Sequence, residues 1–148
     1  MCDLISGTMG TESKSRATIH QRVRSQHSSE IAQDYVEAIH EIRETGNPVE
    51  ISSLQEVFGV SHVTVIRTLQ RLQKQELISG TRSRDIELTE KGKRLAKSAA
   101  AKHELLKSFL VALGVSDKQA DADAEGAEHH LSDETLNAIR TFLERIPE

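Results

Sequence analysis

Two short apolar-patterned stretches between Val49 and Gln75, split by Gly59-Val60-Ser61, constrain this chain more than any other feature. Ser52 or Ser53 can open the first, which holds Leu54, Val57 and Phe58, and the turn then offers Ser61 as N-cap of the second. Two short helices joined by a tight turn have the shape of a helix-turn-helix. On the second helix Val65, Leu69 and Leu72 share one side, whereas Thr64, Arg67, Arg71 and Lys74 fall on the other within an arc of roughly 80°. One face packs and the other is basic.

The flanking segments point to a mainly α chain. Residues 1–28 are rich in Ser, Thr, Gly, Gln, Arg and His without a sustained period, and read as a mobile extension. Ser28 or Ser29 then caps a helix to about Thr45, with Ile31, Tyr35, Ile39 and Ile42 at helical spacing, and Gly46 and Pro48 end it. Beyond Leu77 and Ile78, a polar stretch from Ser79 to Asp85 precedes the alternation Ile86-Glu87-Leu88, the outline of a β-hairpin wing. Thr89 caps a long helix from about Glu90 to Leu113, which Gly114 stops. Ser116 and Ser132 each precede an acidic first turn, so two more helices are expected over 117–130 and 133–146. Three Phe, one Tyr and no Trp leave little aromatic mass for a β-sandwich core. The expected organisation is a winged helix-turn-helix over 29–92 followed by a helical domain over 93–148.

At 148 residues the chain has the length of one ordinary domain or two small ones. The longest apolar stretch is Phe109 to Leu113, far short of a membrane span, and the first residues lack a secretory pattern. The single cysteine, Cys2, supports neither an intrachain disulfide nor a multi-cysteine zinc site, and a reducing cytoplasm is expected.

A formal charge of −4, taken as a whole-chain value, disfavours a polyanionic partner. Along the chain it separates: residues 61–97 hold nine Lys or Arg against four acids, and residues 117–148 nine acids against three bases. The basic segment coincides with the helix-turn-helix and hairpin. A charged outer face is by default a solvated one, but this context favours duplex DNA, with Ser61, His62, Thr64, Arg67, Arg71 and Lys74 on the second helix and Arg84 in the wing as contacts.

Three further passages carry chemistry. Asp34 and Glu37 are neighbours on one helix face. Glu125, Glu128 and His129 stand at i, i+3 and i+4, on one side of a later helix, and His103 lies mid-way along the long helix. Each alone is common on exposed or packed helices.

Taken in order, Asp34-Tyr35-Val36-Glu37, the helix-turn-helix, His103-Glu104-Leu105-Leu106 and Glu125-Gly126-Ala127-Glu128-His129-His130-Leu131-Ser132 resemble the manganese transport regulators of the diphtheria toxin repressor superfamily, over roughly residues 29–146. The resemblance implies a winged-helix DNA-binding domain, a helical dimerisation domain, and two adjacent metal ions per subunit where they meet. It makes Asp34, Glu37, His103, Glu125, Glu128 and His129 the ligands and leaves His130 out. Four crowded carboxylates would repel unless cations intervene, and an oxygen and imidazole donor set suits Mn²⁺ or Fe²⁺. Iron-responsive relatives carry Cys where this chain has Glu125, so the resemblance favours Mn²⁺, with Fe²⁺ as the alternative. The chain also ends at Glu148 without the extra C-terminal domain of many iron-responsive relatives, which points the same way. One departure is Arg84-Asp85, where the family usually shows Arg-Gly at the wing tip. The implied function is a homodimeric regulator, usually repressing manganese uptake genes, bound to a pseudo-palindromic operator. Two other readings are a winged helix sensing a non-metal signal and a dinuclear metalloenzyme. Against the enzyme, Glu125 is followed at i+3 by Glu128 where a ferritin-like pattern needs His.

Overall fold

A computed structural model describes residues 9–146, the side chains of residues 9–15 and 22 aside. Cys2 lies outside the described residues. The first helix, α1 (Met9–Glu44), is 36 residues long, about 54 Å at the usual rise. It starts well ahead of Ser28, so most of the segment read as a mobile extension is helical. No glycine or proline occurs between Thr11 and Thr45. Lengthening an existing helix needs no new nucleus, and the polar stretch continues as helix although residues 16–21 bury nothing. Gly46, at φ 78°, ends it.

Helix α2 (Ile51–Phe58) is capped differently from the expectation. Glu50 is its N-cap, not Ser52 or Ser53, and the Ile51 amide donates to Ser83 Oγ at 3.0 Å. A serine from the wing thus replaces a local cap. Gly59 adopts the left-handed conformation at φ 61°, which closes α2 and turns the chain toward α3 (His62–Lys74). Ser61 caps α3 as expected, its hydroxyl accepting from the Thr64 amide.

The wing is a short antiparallel hairpin of β1 (Ile78–Ser79) and β2 (Glu87–Leu88), with Ile78 opposite Leu88 and Ser79 opposite Glu87. Thr89 follows as the N-cap of α4 (Glu90–Ala112) and also donates its hydroxyl to Glu76 O at 2.6 Å. Gly92 sits where α4 crosses the hairpin: a Cβ there would lie 2.1 Å from the Leu77 carbonyl oxygen. The close approach requires a glycine.

Two apolar cores result. The larger joins Tyr35, Val36 and Ile39 of α1 to Leu54, Val65, Leu69, Leu72, Ile86 and Ala96, with Phe58 stacked on Tyr35 at 4.1 Å between ring centroids. The smaller gathers Leu106, Ala124 and Ile139, with Phe109, Leu131 and Leu143 packed around them. It ties α4 to α5 (Asp117–Ala127) and α6 (Asp133–Glu144). Helix α4 contributes to both cores, and this brings α1 alongside the start of the acidic half.

Candidate metal centre and nucleic-acid face

The six candidate donors converge from four places. Asp34 and Glu37 project from α1, His103 from α4 and Glu125 from α5, while Glu128 and His129 belong to a 3-10 turn, Glu128–His130. Asp34, Glu37, His103 and Glu125 line one cavity of about 660 Å³. The other two contact its walls.

Glu128 is the hinge of the arrangement, 3% exposed, with an imidazole on each side. Its Oε2 lies 2.8 Å from His103 Nδ1 and its Oε1 lies 3.6 Å from His129 Nε2. His103 Nδ1 is also 3.4 Å from Glu125 Oε2, and His129 Nε2 is 3.1 Å from Asp34 Oδ1. Donor atoms of His103, Glu125 and Glu128 all fall within 4.8 Å of one another. The Glu128 carboxylate therefore stands between His103 and Glu125 on one side and His129 and Asp34 on the other.

The electrostatics show how poorly these acids tolerate one another. Burial, followed by repulsion from Glu128, Glu125 and Asp34, pushes the Glu37 carboxyl up to about 7. Burial also raises Asp34 and Glu128, against the opposing attraction of His129. For His103 burial lowers the pKa, but hydrogen bonds to Asp121 and Glu128 outweigh it and hold the imidazole above its ordinary value. A divalent cation relieves this crowding, and the oxygen and nitrogen donors without thiolate fit a hard or intermediate ion.

The local geometry corrects one expectation. Helix α5 stops at Ala127, so Glu125, Glu128 and His129 do not line one side of a single α-helix. The tighter 3-10 turn rotates Glu128 toward His103 and His129 toward α1, where its Nδ1 also lies 3.2 Å from Gln33 Oε1. His130 points elsewhere, to Glu30 at 3.1 Å. Sequence patterning does not single out Asp121, which also reaches this region. It stands one turn before Glu125 and lies 3.2 Å from His103 Nε2, and its i, i+4 relation to Glu125 was the available signal.

Along α3 and its N-cap, Val65, Leu69 and Leu72 are buried while Ser61, His62, Thr64, Arg67 and Lys74 are exposed. The Ser61 hydroxyl is engaged with Thr64, at 3.3 Å to its amide and 3.0 Å to its Oγ1. Arg71 is half-buried, and its Nε is enclosed without a hydrogen-bond partner among the described residues. Arg84 takes φ 72° and turns back on the body, its Nε donating to Glu50 Oε1 at 3.0 Å. Exposed Val63, at 55%, is an apolar member of this surface that charge alone does not reveal.

Comparison with known proteins agrees with this division. Residues 27–84 match the family profile "Iron dependent repressor, N-terminal DNA binding domain", and residues 89–148 match "Iron dependent repressor, metal binding and dimerisation domain". The chain is 40% identical over 126 residues to the transcriptional regulator MntR of Escherichia coli O6:H1, covering 84% of this chain and 81% of that protein. It is 33% identical over 116 residues to the HTH-type transcriptional regulator MntR of Bacillus subtilis, covering 78% and 82%. Among solved structures it resembles a manganese-dependent transcriptional repressor complexed with manganese, at TM-score 0.68 and 32% identity over 76% of this chain and 52% of that one. The manganese regulator SloR is similar at TM-score 0.67 and 28% identity, over 78% and 54%. The chain spans about half the length of these two structures. Its two matched halves, in this order and over most of its length, make it a member of the iron-dependent repressor family of DNA-binding transcriptional regulators.

Proposed function

We propose that this protein is a manganese-responsive repressor whose metal centre sets the position of its DNA-reading helix. The observation that carries the reading is the meeting of Asp34, on the helix that backs the recognition unit, with His129 of the acidic half. In this reading Asp34, Glu37, His103, Glu125, Glu128 and His129 hold two divalent ions, Mn²⁺ by preference and Fe²⁺ as the alternative. The crowded, mutually repelling carboxylates supply the driving force: bound dications offset their charge and leave α1 fastened to the 3-10 turn. The domain boundaries follow as 29–92 for DNA binding and 93–148 for metal binding and dimerisation, with residues 1–28 ahead of them.

The chain itself then transmits the signal. With α1 fixed, α3 is held at one distance from its copy in the dimer, and only one separation matches successive major grooves of a pseudo-palindromic operator. Thr64, Arg67 and Lys74 face outward there, with His62 at the helix start, and the exposed positive side chains suit base edges and phosphates. A second copy fits the apolar face formed by Leu106, Phe109, Leu113, Leu131, Ile139 and Phe142, where Leu113 is 58% and Phe142 44% exposed. No described helix is long and apolar enough to cross a membrane, and the cytoplasm is the compartment where such a protein meets both metal and operator. The test is operator affinity with and without Mn²⁺ at fixed salt. Affinity that rises with the metal supports the reading; metal-independent affinity contradicts it.

A further inference from the structure

Resting on the reading of His103 as a metal ligand, we infer that Asp121, outside the six donors, is a positioning residue that selects which nitrogen of His103 faces the metal centre. The His103 side chain is 21% exposed and lies between two acids of α5. Glu125 Oε2 lies 3.4 Å from Nδ1, and Asp121 Oδ1 lies 3.2 Å from Nε2. Asp121 and Glu125 are one helical turn apart, so the same face of α5 addresses both nitrogens of the ring.

A neutral imidazole carries one ring hydrogen, and a ligating nitrogen must present its lone pair. At Nδ1 the neighbours are Glu125 and the buried Glu128, both within the donor group. Without a cation both nitrogens face a carboxylate; a cation seated among Glu125, Glu128 and Nδ1 displaces the Nδ1 hydrogen, and Asp121 is then the acceptor that holds the remaining hydrogen at Nε2. A carboxylate behind a histidine also fixes the ring plane and raises its basicity.

Asp121 is itself restrained. Lys107, one turn beyond His103 on α4, places Nζ 3.1 Å from Asp121 Oδ1 and 3.4 Å from Asp117 Oδ1. The lysine shares the Oδ1 atom that faces His103 and keeps the carboxylate's charge compensated. Asp121 thus behaves as part of a Lys107–Asp121–His103 chain and not as a seventh ligand. Asp123, two residues on, is exposed and accepts from Gln119 Nε2 at 2.7 Å, which makes it a matched control.

The experiment compares Asp121→Ala, Asp121→Asn, Asp123→Ala and His103→Ala in the full chain. Mn²⁺ titration gives affinity and the number of ions bound, and ¹⁵N spectra of the Cd²⁺-loaded protein identify the nitrogen of His103 that carries hydrogen. We expect Asp121→Ala to weaken Mn²⁺ binding about 10–100-fold with the same number of ions bound. Its His103 should lose the single Nε2-hydrogen form. Asp121→Asn, whose amide oxygen still accepts, should restore most of the affinity and the single form, and Asp123→Ala should match the parent. Three results overturn the inference: unchanged affinity and ring state in Asp121→Ala, equal losses in the Ala and Asn variants, or one ion fewer in Asp121→Ala. Full affinity in His103→Ala would instead contradict the ligand role on which the inference rests.

Discussion

Asp34 Oδ1 lies 3.1 Å from His129 Nε2, so the helix that supports the DNA-reading unit and the 3-10 turn that ends α5 meet side chain to side chain. The two residues belong to different matched halves of the chain. Whatever strengthens or breaks this contact bears on how the halves are held.

Asp34→Ala should therefore damage coupling more than folding. Linkage of this kind is ordinarily worth ~1–3 kcal/mol, or about 5–150-fold in affinity. The parent should show an enhancement of operator binding by Mn²⁺ in that range, and the variant should lose most of it while melting near the parent's temperature without metal. Fluorescence anisotropy on labelled operator measures the first quantity and thermal melts the second. An enhancement equal to the parent's would remove Asp34 from the signal path.

The acid crowding gives a pH signature. Glu37 rises from 4.5 to about 7 on folding. A carboxyl raised in the folded state favours folding below its ordinary pKa, and that contribution is lost as pH climbs through the folded value. Metal-free protein should accordingly become less stable between about pH 4.5 and 7, and Glu37→Gln should flatten that decline. Melting temperatures of metal-free protein across this window decide it. Parallel profiles for parent and variant would contradict the assignment.

Two arginines expected to touch DNA should separate. Arg67 is exposed on the outer side of α3, whereas Arg84 is paired with Glu50. Arg67→Ala should weaken operator binding by ~1–3 kcal/mol if it reads a base, and Arg84→Ala by less. Calorimetry should find Mn²⁺ affinity of the free protein unchanged in both. A larger loss from Arg84→Ala would mean that the wing releases Glu50 on DNA.

Gly92→Ala tests the joint between hairpin and α4. The added methyl would come within 2.1 Å of the Leu77 carbonyl and 3.2 Å of Leu88 Cδ2, so backbone must move. Overpacking of this kind costs about 1–3 kcal/mol. Urea unfolding at neutral pH should show the loss, and an unchanged midpoint would mean that the helix shifts freely.

Local rules made the helix-turn-helix legible. Ser61 and Thr89 had caps to make, Gly59 had a left-handed turn to occupy, and Val65, Leu69 and Leu72 had the spacing of a buried stripe. Where long-range contacts decide, sequence patterns were less informative. The cap of α2 comes from Ser83 across the wing, and the early start of α1 reflects helix propagation without burial. At the candidate metal centre the six residues were named as a set by resemblance alone, and their convergence on one region is a feature of the fold. The place of Glu128 between His103 and His129 follows from a 3-10 turn, and Asp121 meets His103 only because α4 and α5 pack together.

The most direct test is a titration of operator affinity with Mn²⁺ at constant salt, run on the parent and on Glu128→Ala. The account predicts that affinity in the parent rises with Mn²⁺ until the centre fills, and that removing the carboxylate shared by His103 and His129 abolishes the rise. A parent that binds its operator equally well with and without Mn²⁺, or a Glu128→Ala variant that responds as the parent does, would contradict it.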